Sequence, residues 1–327
     1  MNAVLFVGHG SRDSEGNDEV RAFVESIGER TGQPIVETCF LEFEPPTVGA
    51  GIERCVERGA THIVVIPIML FSAGHAKLHI PAMIDEAKRH YPSVRFTYAR
   101  PVGVHEQVLE ILASRLEAAG MHVKQKEEDT AILLVGRGSS DADANSDLYK
   151  ISRLLWERMR VKWVEPAFIG VTSPLVEEAV ERCLRLGAKR VMILPYFLFT
   201  GVLIKRMEGL AQEYAALHPG VRFDLAEYFG FHPLLRSILL ERVQEALLGE
   251  VKMSCDMCVY RIEAAKHHEH HHDHHHDHHH DHHHHDHHDH DHDQDHDHDH
   301  QHDHRHHDHD HSHGHAHGRI SGKEEVS

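Results

Sequence analysis

The sequence predicts a doubly wound α/β fold made twice: two tandem parallel-sheet domains, followed by a His/Asp-rich segment without a core. Three observations predict it. First, shifting the chain by 128 residues lays it on itself. "AVLFVGHGS" falls on "AILLVGRGS", Pro67 on Pro195 and Phe71 on Phe199, and "HYPSVRFTYARPVGVH" corresponds to "LHPGVRFDLAEYFGFH". An offset held over about 120 residues marks a duplication. Second, the apolar runs lack alternation and are rich in β-branched residues, as strands buried on both faces of a parallel sheet read. Third, segments of helical spacing separate those runs.

In the first copy the strands fall near 3–7, 35–41, 62–70 and 94–99. Helical patterns occupy 17–31, 47–59, 76–90 and 105–119. This is (βα)4, and the second copy repeats it. The expected division is a domain over 1–124, a duplicate over 129–250, a Cys-x-x-Cys linker over 251–266 and a metal-binding, disordered segment over 267–327. The 327 residues suffice for two ordinary cores.

The net charge of -18 is concentrated at one end. Thirteen aspartates, one glutamate and one arginine between His267 and Gly318 account for -13 of it. The remainder is mildly acidic and has no basic face for nucleic acid. No apolar run is long enough for a membrane span, and no secretory signal opens the chain. Five scattered cysteines argue against a disulfide framework and for a reducing, cytoplasmic location.

Ligands of such sheets bind outside the carboxyl ends of the strands. There the first copy carries chemistry that the second lacks. His9 sits between two glycines after the first strand, Glu42 follows the second, and His75 follows the third. At the same offset stand Arg137, Gly170 and Leu203. A residue required by the fold would be required twice, so the three read as one functional rim. Two imidazoles and a carboxylate with open positions suit a borderline divalent ion in transit, and imidazole accepts protons near neutrality. Glu44, two residues from Glu42, is a rival for the carboxylate role. Gly8, Gly10 and Gly74 are read as letting backbone approach a flat ligand. A dinucleotide site is a weak reading, because "GHGSRD" lacks the third glycine of that fingerprint.

"VGHGSRD", "FLEFEPPTV" and "VVIPIMLFSAGHAKLHIP", at these separations, resemble the class II tetrapyrrole chelatases, and among them the long-form sirohydrochlorin cobaltochelatase family, CbiX. The resemblance covers about residues 1 to 250. It implies an enzyme that inserts Co2+ into sirohydrochlorin for cobalamin synthesis, the macrocycle lying in a cleft between the domains. His9 would be metal ligand and proton acceptor, His75 the second ligand, and Glu42 the acidic partner. Leu70, Phe71, Ser72, Ala73, Gly74 and His75, with Glu42, would line the substrate. Substrate carboxylates need cations, for which Arg12, Lys77, Arg137, Lys205 and Arg206 are candidates. Insertion of Fe2+ for sirohaem is the nearest alternative, and a non-enzymatic metal store or carrier a second. The rim argues against a store, which would not need a duplicate stripped of these residues.

Cys255 and Cys258 form a Cys-x-x-Cys pair after the second copy. Such a pair serves redox chemistry, half a zinc site or part of an iron–sulfur cluster. The family resemblance points to a [4Fe-4S] cluster over Met253, Cys255 and Cys258. Two thiolates cannot complete a four-thiolate site, so a cluster would need a dimer partner or other ligands; without it, duplication makes a monomer sufficient. The segment from His267 holds 31 of the 40 histidines, and dense imidazole and carboxylate bind divalent metals in many interchangeable geometries.

Overall fold

The computed structural model describes residues 1–122 and 126–249. The first half forms strands β1 (Asn2–Gly8), β2 (Ile35–Phe40), β3 (His62–Pro67) and β4 (Arg95–Tyr98), all parallel, in the order β2-β1-β3-β4. The second forms β5 (Glu127–Gly136), β6 (Val161–Phe168), β7 (Arg190–Pro195) and β8 (Arg222–Leu225), in the order β6-β5-β7-β8. The helices are α1 (Ser14–Gly28), α2 (Val48–Glu57), α3 (Ile80–His90) and α4 (Glu106–Ala118). Their counterparts are α5 (Ala142–Arg158), α6 (Val176–Arg185), α7 (Val202–Leu217) and α8 (Pro233–Leu248). Among the described residues no helix is long and apolar enough to cross a membrane.

Ala3 to Val7 are fully buried because β1 is central and covered on both faces. Ala3, Leu5 and Val7 meet the α2 and α3 side, while Val4 and Phe6 meet the α1 side. The larger of these side chains, Val4, Leu5, Phe6 and Val7, each contribute roughly 2 kcal/mol of burial. The third apolar run extends to Leu70 in the sequence, but β3 stops at Pro67. Beyond it, the Ile68 side chain is buried and Leu70 and Phe71 pack on the core from a loop, so the run stays apolar without staying extended.

The layer between the two sheets is shared. Helix α8 lies against β3 and β4 of the first sheet, and α4 lies against β7 and α5 of the second. Each half thus covers part of the other's sheet with its last helix. Arg100 Nε donates to Glu245 Oε2 at 3.0 Å, and Arg115 Nη2 to the Phe229 carbonyl at 2.7 Å, fixing that exchange. Side chains of both halves form one central core, from Val4 and Phe6 to Ile132 and Leu134. The exchange brings the carboxyl ends of β1 and β5 side by side.

Candidate metal centre

The turn after each central strand is built the same way. The Ser11 amide donates to Asn17 Oδ1 at 2.8 Å, and Asn17 Nδ2 returns a bond to the Ser11 carbonyl at 2.9 Å. Ser139 and Asn145 repeat the exchange at 3.0 and 2.8 Å. Asp13 caps α1 by accepting from the Glu15 amide, and Asp141 caps α5 from the Asp143 amide. His9 and Arg137 therefore stand on one scaffold.

Backbone pairing continues past the end of β2. The Leu41 amide donates to the Gly8 carbonyl at 3.0 Å and the Glu42 amide to the His9 carbonyl at 3.1 Å. Gly10 makes this possible: at its φ of +88°, a Cβ would lie 1.7 Å from the Glu42 carbonyl oxygen. The close approach at this glycine is thus to the chain itself, whereas around Gly74 there is open space. Gly138 repeats the arrangement against the Gly170 carbonyl at 2.1 Å, and Phe43 and Val171 share positive φ values of 63° and 69°.

His9 Nδ1 lies 3.3 Å from Glu42 Oε1, His75 Nε2 lies 3.9 Å from the same oxygen, and the two rings are 4.7 Å apart. One ligand atom from each of His9, Glu42 and His75 lies within 4.8 Å of the others. Ligands about 2.1 Å from a shared ion sit about 3 to 3.5 Å apart, so a small rotation closes the group on an ion. The side chains are 28, 36 and 32 % exposed for His9, Glu42 and His75, so the group opens to solvent. Glu44 points elsewhere: it accepts from Arg21 and, at 3.2 Å, from Asn17 Nδ2.

His75 opens a π-helical turn, His75–His79, that runs into α3; the Ile80 amide reaches back five residues to the His75 carbonyl. That turn brings His79 Nδ1 to 2.9 Å from His75 Nδ1. When His75 donates its Nδ1 proton there, its Nε2 lone pair faces Glu42. On the other side Arg137 Nη1 donates to His9 Nε2 at 2.9 Å. Burial and then Arg137 lower the pKa of His9 below the ordinary 6.5. Burial, then His9 and His79, lower that of His75. Both rings are neutral at pH 7, the form that ligates metal.

His79 was not foreseen from the sequence. Its signal is the spacing His75-x-x-x-His79 at a helix start, with Met207 at the duplicate position. Of the expected cations, Lys77 is held by Asp141 at 2.6 Å and Asp143 at 3.2 Å, and Lys205 by Asp13 at 2.8 Å and Glu15 at 2.7 Å. These lysines join the halves. The Arg12 guanidinium lies 5.1 Å from the Phe43 ring centre. In the loop after β3, residues 70 to 73 are half-buried, and the Phe71 ring stacks on Tyr196 of the second half at 5.1 Å. Cys255, Cys258 and the His/Asp segment lie outside the described residues.

Both halves of the chain are similar to known proteins. The family model described as CbiX matches residues 3–119 and again 131–246. The chain is 61 % identical over 271 residues to a sirohydrochlorin cobaltochelatase of Priestia megaterium, covering 83 % of this chain and 88 % of that protein. It is 39 % identical to a sirohydrochlorin ferrochelatase of Bacillus subtilis, covering 74 % of this chain and 91 % of that one. Among solved structures it is similar to SirB from Bacillus subtilis with Fe3+, with a TM-score of 0.68, 38 % identity, and coverage of 77 % of this chain and 98 % of that chain. It is also similar to the sirohydrochlorin chelatase SirB of Bacillus subtilis subspecies spizizenii in complex with cobalt, with a TM-score of 0.65, 35 % identity, and coverage of 77 and 97 %.

Proposed function

The chain belongs to the CbiX family, and from that premise we propose that it is a sirohydrochlorin cobaltochelatase, inserting Co2+ into sirohydrochlorin on the path to cobalamin. The observation that carries the metal is the 61 % identity, over most of both chains, to a relative named for cobalt; two relatives named for iron stand at 39 %. Insertion of Fe2+ is accordingly the less supported alternative.

The reaction needs an ion stripped of water and two pyrrole N–H protons removed as the metal enters. His9, Glu42 and His75 are the groups we assign to it. Two neutral imidazoles and a carboxylate hold the incoming ion weakly enough to release it. Once the ion passes to the macrocycle, the freed imidazole lone pairs accept the departing protons, so two N–H bonds break as metal–nitrogen bonds form. Glu42 holds the His9 ring and offers a second proton acceptor. The geometry supporting this is the shared Glu42 oxygen, 3.3 and 3.9 Å from the two rings. Within this reading the first half is the catalytic domain, and the second lends its scaffold and the opposite wall for the substrate.

The reading extends to the remaining sequence. Cys255 and Cys258 are proposed to ligate a [4Fe-4S] cluster shared with a second copy or completed by other ligands. The segment from His267 is proposed to gather divalent metal for the rim, in the cytoplasm, where Cys39, Cys55 and Cys183 remain free thiols. The test of the function is insertion into sirohydrochlorin with Co2+, Fe2+ and Ni2+ in turn, read from the macrocycle's visible absorption. Cobalt is expected to give the highest kcat/KM; a higher value with Fe2+ would transfer the assignment to sirohaem synthesis.

A further inference from the structure

An arginine has five N–H donors and no acceptor. The bond from Arg137 Nη1 to His9 Nε2, at 2.9 Å, therefore fixes which His9 nitrogen carries the proton. Nε2 is the acceptor, and Nδ1–H donates to the Gly10 carbonyl at 3.2 Å, with Glu42 Oε1 3.3 Å from the same nitrogen. Both nitrogens of His9 are thus occupied, and a cation arriving at Nε2 meets a guanidinium already on the lone pair. Among the described residues Arg137 has no carboxylate partner. Other cations contrast with it: Lys77 and Lys205 each hold two carboxylates, and Arg21 holds Asp18 and Glu44. Arg137 is exposed at the rim, where a polycarboxylate macrocycle arrives.

Resting on the chelatase reading, we infer that Arg137 is a positioning residue that keeps His9 closed to metal until a substrate carboxylate draws it away. A guanidinium bonds a carboxylate more strongly than a neutral imidazole, and bidentately, so sirohydrochlorin outcompetes His9 for it. The departure uncovers Nε2 and moves a positive charge away from the incoming ion. Macrocycle and metal are then coupled: each favours the open state that the other needs. If the guanidinium covers Nε2 about 90 % of the time, the resting site binds cobalt about tenfold more weakly than the opened one. The coupling weakens metal binding at the rim when no macrocycle is present.

The test is steady-state insertion by the full-length protein, with free Co2+ fixed by a chelating buffer and both substrates varied. In the wild type the apparent KM for Co2+ is expected to fall about five- to tenfold as sirohydrochlorin rises to saturation. In Arg137→Ala it is expected to be low at every sirohydrochlorin concentration, while the KM for sirohydrochlorin rises about tenfold and kcat stays within about twofold. Arg137→Lys keeps a charged donor and is expected to restore most of the coupling. An Arg137→Ala protein with wild-type coupling, or with a raised KM for Co2+, would overturn the inference. Undiminished kcat in His9→Ala would instead sink the site assignment on which it rests.

Discussion

The two turns "GHGS" and "GRGS" are the same object with different tips. Each follows a central strand, each is tied to its helix by a serine–asparagine exchange, and each packs a glycine against the carbonyl of the neighbouring loop. Even the positive φ of Phe43 is repeated at Val171. Backbone strain is often a sign of function, yet here the half without the carboxylate keeps it, so it belongs to the loop's shape. What differs is the set of tips: His9, Glu42, His75 and His79 against Arg137, Gly170, Leu203 and Met207. The duplicate is an internal control, separating what the fold needs from what the chemistry needs.

That comparison can be broken most forcefully at His75. His75→Ala should lower kcat for cobalt insertion about a hundredfold, the scale of losing a ligand or proton acceptor. Its melting temperature should barely move, because the ring is about a third exposed and the second half has Leu203 at the same position, in the first turn of its helix. A fall in melting temperature comparable to a core substitution would mean that the ring is structural.

Gly10 and Gly138 sharpen the contrast. Alanine at either must shift a carbonyl 1.7 or 2.1 Å away, so both variants should lose about 2 kcal/mol of stability in denaturant titrations. Only Gly10→Ala displaces Glu42, and only it should also lose insertion activity at a temperature where both are folded. Equal losses of activity would make the two turns functionally alike.

Glu42→Gln should cost about tenfold in kcat, less than either histidine, because an amide of the same shape still sits beside the His9 ring but is a poorer ligand and base. A hundredfold loss would make Glu42 itself the principal proton acceptor.

The smallest effect is on pH. His9 and His75 must be neutral to ligate, and burial lowers both pKa values below 6.5. A lowered pKa keeps the neutral form as pH falls, so the acid limb of kcat/KM for buffered Co2+ should lie below 6.5. Arg137, the second cause at His9, is absent in Arg137→Ala, and that limb should move upward. A limb that moves downward would contradict the electrostatics.

Much of this was legible in the sequence. Strand and helix periods, the duplication, and the asymmetric His9, Glu42 and His75 could be read because each leaves a local pattern or a mismatch between copies. Glu42 could not be separated from Glu44 by residue order, because side-chain direction after a strand depends on loop geometry. Here Gly10 and the His9 carbonyl fix it. The exchange of α4 and α8 was equally invisible: both helices are amphipathic on any sheet, and nothing local names the sheet they cover. Lys77 and Lys205 read as substrate cations because their aspartate partners lie in the other half. The Arg137–His9 bond likewise spans 128 residues and emerges only when the halves meet.

Whether the chemistry belongs to the tips of the first half is decided by steady-state Co2+ insertion into sirohydrochlorin. His9→Ala and Arg137→Ala are compared at saturating concentrations of both substrates, with thermal melts of each. A kcat about a hundredfold below wild type is expected for His9→Ala, with near wild-type turnover for Arg137→Ala and unchanged melts for both. Abolished turnover in Arg137→Ala alongside intact turnover in His9→Ala would place the chemistry in the wrong half of the molecule.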